Sequence, residues 1–94
     1  MLTLDQRFKR LGFNVGISYQ VFIKDLSRST SLVVEGRRKT GYPTYRYSFY
    51  KVTYLPDGAK AREKIYAENE SASRVLRQVT SFLDFLERSE ASGK

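Results

Sequence analysis

The residues equipped for chemistry are few in kind. The 94-residue chain has no His, no Cys and no Trp. The commonest zinc ligands, a Ser-His-Asp or Cys-His relay and any disulfide are therefore excluded. Ser and Tyr are plentiful, but no partner base lies near them to make a nucleophile. Pro56-Asp57 followed by Glu63 and Lys64 is a poor match to a metal-dependent nuclease, because Asp57 belongs to a turn and the other two alternate. Gly12 to Gly16 does not lead from a strand into a helix, so it is not a phosphate loop. What remains is binding chemistry, with no enzyme and no cofactor expected. There are 17 Lys and Arg against 10 Asp and Glu, a net charge of +7, and 7 Tyr beside 6 Phe. Cations attract polyanions, and a tyrosine ring offers a stacking face with a polar tip. The candidates are Arg37, Arg38, Lys39, Tyr42, Arg46, Tyr50, Tyr54, Lys60, Arg62, Lys64 and Tyr66.

The elements that must carry them are legible from spacing. Length and a hydrophobic share of 40% suit one small domain over residues 1–94, with 90–94 as a flexible tail. Residues 3–11 read as a short helix, with Thr3 and Gln6 as a capping box and Gly12 as the stop. Residues 15–24 alternate and predict a strand with one buried side. A second strand covers 31–38, and 44–55 is β-branched and aromatic, the clearest strand of the chain. Leu55-Pro56-Asp57-Gly58-Ala59 is a hairpin turn into a fourth strand, 60–67. Asn69 or Ser71 caps an amphipathic helix over about 71–88. The expected fold is α+β, in the order α-β-β-β-β-α. It is a four-stranded antiparallel meander with the C-terminal helix packed on one face.

Turn chemistry then sets the registers. A bulged turn at Gly58 pairs Tyr54 with Lys60, Val52 with Arg62, Tyr50 with Lys64 and Phe49 with Ile65. A two-residue turn at Thr40-Gly41 pairs Glu35 with Arg46 and Val34 with Tyr47. A turn at Ser27-Arg28 pairs Ile23 with Leu32. One face then carries Ile17, Tyr19, Val21, Ile23, Leu32, Val34, Tyr45, Tyr47, Phe49, Ile65 and Ala67, and the helix covers it. The other carries Phe22, Val33, Arg37, Arg46, Tyr50, Val52, Tyr54, Lys60, Arg62, Lys64 and Tyr66, with Glu35 its one clear acid.

An open face of rings and cations suits single-stranded DNA or RNA, with bases on the tyrosines and phosphates on Lys and Arg. An ordinary solvated sheet face also carries polar residues, and Lys and Arg stems shield aromatic rings without any ligand. The excess of bases over acids favours the ligand face. A strand meander followed by one long helix is similar in order to the Whirly single-strand binders and to a transcriptional coactivator family. The likeness is one of topology, and no residue is carried across. The competing expectation is a protein-binding regulator or inhibitor, of phage or mobile-element type, docking on an acidic or nucleoprotein surface. A homodimer through Phe85, at the edge of the helix stripe, is a further expectation. The N-terminal residues lack the pattern of a signal peptide and no apolar run nears the ~20 residues of a membrane span, which predicts an intracellular protein without a membrane partner.

Overall fold

The computed structural model describes residues 2–92. The chain opens with α1 (Leu4–Arg10), whose capping box at Thr3 and Gln6 is complete. Seven residues are too few for an isolated helix. α1 is held by Phe8, which is fully buried, stacks on Phe22 at 4.3 Å between ring centroids and meets Phe13 edge-on at 5.3 Å. Five strands follow: β1 (Asn14–Ile17), β2 (Val21–Ser27), β3 (Thr30–Arg37), β4 (Arg46–Tyr54) and β5 (Lys60–Glu70). They form one antiparallel meander in sequence order. α2 (Ala72–Ser92) closes the chain, capped by the Ser71 hydroxyl, which accepts from the Arg74 amide at 3.3 Å. The tail expected at 90–94 is helical through Ser92, and residues 93 and 94 lie outside the described residues. No helix among the described residues is long and apolar enough to cross a membrane.

The α+β class is as expected, with one strand more. The stretch read as a single strand, 15–24, turns back on itself at Ser18-Tyr19-Gln20, where the Gln20 amide bonds the Ile17 carbonyl at 2.9 Å. Tyr19 holds the turn with a left-handed φ of +63°.

Both helices cover the same side of the sheet. Phe8, Phe22, Leu32, Val34, Phe49, Val75 and Val79 make the centre of the core, each with at most 1% of its surface exposed. All three ladders for which a register was expected depart from it, and the consequences differ. Between β3 and β4 the slip is two residues, with Val34 opposite Phe49 and Glu35 opposite Ser48, so every side chain keeps its face. The cause is the connection, which runs over residues 38–45 instead of two residues at Thr40-Gly41. Between β2 and β3 the slip is one residue, with Phe22 opposite Val34 and Ile23 opposite Val33. That turns β2 over. Phe22 enters the core, and Ile23 and Val21 go to the uncovered side. A bulge between Asp25 and Ser27 supplies the odd residue, and the Phe8–Phe22 stack rewards it.

The β4–β5 hairpin begins as its turn dictates. Leu55 bonds Ala59 at 2.7 Å, the Asp57 carboxylate accepts from the Ala59 amide at 2.9 Å, and Tyr54 lies opposite Lys60. One residue later the register shifts. Thr53 pairs with Arg62, Val52 with Glu63, Lys51 with Lys64 and Tyr50 with Ile65. The residue gained there exchanges the two sides of β5. Further shifts near Phe49 and Tyr47 then bring Tyr66 and Ala67 onto the helix side.

Candidate nucleic-acid interface

The expected face of tyrosines and cations is not assembled as one surface. Tyr50, Val52 and Tyr54 do share the uncovered side with Val33, as alternation along β4 requires. Arg62 and Lys64 lie on the opposite side, beside Thr53 and Lys51. Tyr66 packs on the core, 5.2 Å from the Phe49 ring and 4.8 Å from Phe82, with the Lys64 ammonium 5.6 Å from its centroid. Ile17, Val21, Ile23 and Ile65, expected under the helix, are on the uncovered side instead. The register shifts in β5 and β2, with a third between Val15 and Ile17 in the β1–β2 ladder, account for these exchanges.

The uncovered side is therefore more apolar and more acidic than expected. Tyr50 donates its hydroxyl to Glu35 at 3.2 Å, and Glu35 also pairs with Arg37 at 3.1 Å. Burial, and then the Glu35 charge and hydrogen bond, push the Tyr50 hydroxyl up to about 12. Lys60 pairs with Glu63, whose hydrogen bond and charge hold the ammonium above its ordinary value. These cations are matched locally by acids.

The other candidates gather at one end of the sheet, on and beside the 38–45 loop. The Arg46 guanidinium lies 4.4 Å from the centroid of Tyr42 and is fixed from behind by Asn69, donating to its side-chain oxygen at 3.1 Å and to its carbonyl at 2.6 Å. The Arg38 guanidinium lies 5.6 Å from the centroid of Tyr45. The Lys39 carbonyl takes the Tyr42 amide at 3.1 Å, which folds the loop tip back. Among the described residues Arg38 and Lys39 enter no ion pair.

This loop walls a cleft of about 710 Å³. Tyr19, Tyr42, Pro43, Tyr45 and Tyr47 line it, Arg38 and Lys39 stand at its rim, and Leu4 and Ala72 floor it from the two helices. The volume is in the range of small-ligand sites. A shallower hollow of about 290 Å³ on the far side of the loop is lined by Arg37, Arg38, Lys39, Arg46, Ser48, Glu68 and Asn69. Cations thus stand between an aromatic recess and a polar one.

Tyr19 and Tyr45 were not among the sequence candidates. Tyr19 owes its position to a network drawn from three elements. Asp5 of α1 accepts from the Tyr19 amide at 2.8 Å and from the Ser18 hydroxyl at 2.5 Å. Tyr47 of β4 donates its hydroxyl to the Tyr19 carbonyl at 2.6 Å. The Gln20 carbonyl accepts from the Gly36 amide of β3 at 2.6 Å. A left-handed backbone costs a tyrosine of the order of 1 kcal/mol or more, and these bonds hold it there. No sequence signal marks such a turn. Tyr45 lies on the covered side as expected, packed against the core, and its ring also lines the cleft at that end of the sheet. Among the described residues no group of three or more acids is placed to hold a metal ion.

No protein-family model matches this chain, and no solved structure matches it. One curated relative does. The chain is 57% identical over 90 residues to "Uncharacterized protein YddA" of Bacillus subtilis (strain 168), an alignment that takes in 96% of this chain and 88% of the relative. At that identity and coverage the two share a fold and a descent, and the chain belongs to the YddA family.

Proposed function

We propose that this protein is an intracellular, non-enzymatic binder of single-stranded nucleic acid, and that the contact surface is the cleft at the 38–45 loop. The observation that carries the reading is the pairing of two guanidinium groups with two tyrosine rings, Arg46 on Tyr42 and Arg38 on Tyr45, around an aromatic recess with a cationic rim. An unpaired base presents a flat face to Tyr19 or Tyr42, and its phosphates fall within reach of Arg38 and Lys39. Stacking of this kind contributes about 1–3 kcal/mol per base and tolerates any base. A duplex keeps its faces stacked internally and gains only the phosphate contacts. The site moves away from the open sheet face because the cations there are matched by Glu35 and Glu63, while Arg62 and Lys64 face the other way.

The test is fluorescence anisotropy with a labelled oligothymidylate and a duplex of equal length, over a salt series. The expected result is tighter binding of the single strand, weakening steeply with salt as counterions are released. Tyr42→Ala should weaken single-strand binding by about 1–3 kcal/mol at unchanged circular dichroism. Arg38→Gln should reduce the salt slope by about one. No binding at low salt, or binding indifferent to salt, overturns the proposal.

A further inference from the structure

We propose that the uncovered face of the sheet is the seat of a second copy of this chain, so that the protein is a two-fold dimer of sheets packed face to face. The inference is independent of nucleic-acid binding. Across the middle of that face run Ile23, Val33, Tyr50 and Ile65, one from each of four neighbouring strands, with Ile17 and Val21 toward one end and Val52 toward the other. Ile17 and Ile65 are 54% and 52% exposed. Both helices pack on the far side and leave this face without a second layer, although Val33 and Val52 are themselves buried among their sheet neighbours, 8% and 4% exposed.

Charge selects the occupant. The chain as a whole carries +7, yet this face holds Asp25, Glu35, Glu63 and Glu68 against Arg37, Arg46 and Lys60. It carries no excess of cations, and two of them are already paired with its own acids. A polyanion gains little here, while a second copy meets no net repulsion despite its own +7. The ends of the face also match. Arg37 lies at one end of β3, and Asp25 lies toward the other end of the face on β2. A two-fold axis running across the strands along the Ile23–Val33–Tyr50–Ile65 row lays that row on its own copy. It brings the Arg37 end of each sheet to the Asp25 end of its partner. Sheets in such sandwiches cross at about 30°.

Area agrees. With strands about 4.8 Å apart and about 3.4 Å per residue, five strands averaging about eight residues span on the order of 600 Å² in projection. A standard interface takes about 800 Å² of accessible surface from each partner. The whole face, with its relief, is of that size.

The experiment is sedimentation velocity on the full chain at on the order of 100 μM, a concentration at which a micromolar dimer is assembled. The wild type should sediment as twice 10.9 kDa. Ile65→Glu, an exposed position where folding is not at stake, should raise the dissociation constant by at least about tenfold at unchanged circular dichroism. Phe85→Glu, on the outer side of α2, should leave the dimer intact. A wild type that stays monomeric, a dimer that survives Ile65→Glu, or one that dissociates with Phe85→Glu overturns the inference.

Discussion

Tyr50 keeps its proton well into the alkaline range because its hydroxyl is partly buried and donates to an anionic Glu35. The linkage has a definite sign. Below pH 10 the phenol is neutral in both folded and unfolded chains. Between 10 and about 12 the unfolded chain loses this proton while the folded chain holds it, so deprotonation favours unfolding. Stability should fall as pH rises through that window. Tyr50→Phe should flatten the fall, which urea midpoints at pH 9 and at about pH 11.5 will measure. A fall of equal size in both proteins would remove Tyr50 as its cause. Tyr50 on the open side was legible from alternation alone. Its bond to Glu35 was not, because the register that puts Glu35 opposite Ser48 depends on a loop length. Tyr19 was beyond reach for a different reason. Its conformation is imposed by Asp5, Gly36 and Tyr47, three positions far apart in the chain. Gly36 has its own part, since a Cβ there would come within 2.6 Å of the Tyr47 ring. The absent side chain lets that ring lie flat and deliver its hydroxyl to the Tyr19 carbonyl.

Among the elements, β2 is where local and tertiary preferences disagree. Its apolar residues do not alternate cleanly: Val21, Phe22 and Ile23 are consecutive, so either parity buries something. The larger ring wins because α1 offers Phe8 and the β1 hairpin offers Phe13 to pack with it. Phe22→Ala should therefore cost about 3–5 kcal/mol of stability, and Ile23→Ala under about 1.5 kcal/mol, by denaturant unfolding at low protein concentration. The reverse order would restore the register that turn chemistry alone suggests. The helices, the Pro56-Asp57-Gly58 turn and the strand over β4 were all readable, because each is set by residues within a turn or two of one another. The bulges within the strands were not. A bulge is one unpaired residue, and it is chosen by what the rest of the strand must then face.

At the scale of the molecule, charge and apolar surface are kept apart. The basic, aromatic end of the sheet adjoins an apolar face that carries no excess of cations. The net charge of +7 works against compaction, and the three described ion pairs, all with exposed cations, offset little of it. Sodium chloride raised from about 20 to about 200 mM should therefore lift the thermal midpoint by a few degrees, read by calorimetry, since the Debye length shrinks below the spacing of most of these charges. A lower midpoint would mean that the local pairs dominate the field.

The ladder between β3 and β4 has no register shift, and its connection is the 38–45 loop; the ladder between β4 and β5 has three. Insertions and deletions therefore meet very unequal fates along this chain. Loss of a single residue from β5 would swap inside for outside along the remainder of that strand. The loop can grow or shrink while both flanking strands keep their partners. Descendants of this sequence have one inexpensive place to experiment with length, and it is the rim of the cleft, where such experiments alter what is bound and leave the architecture alone.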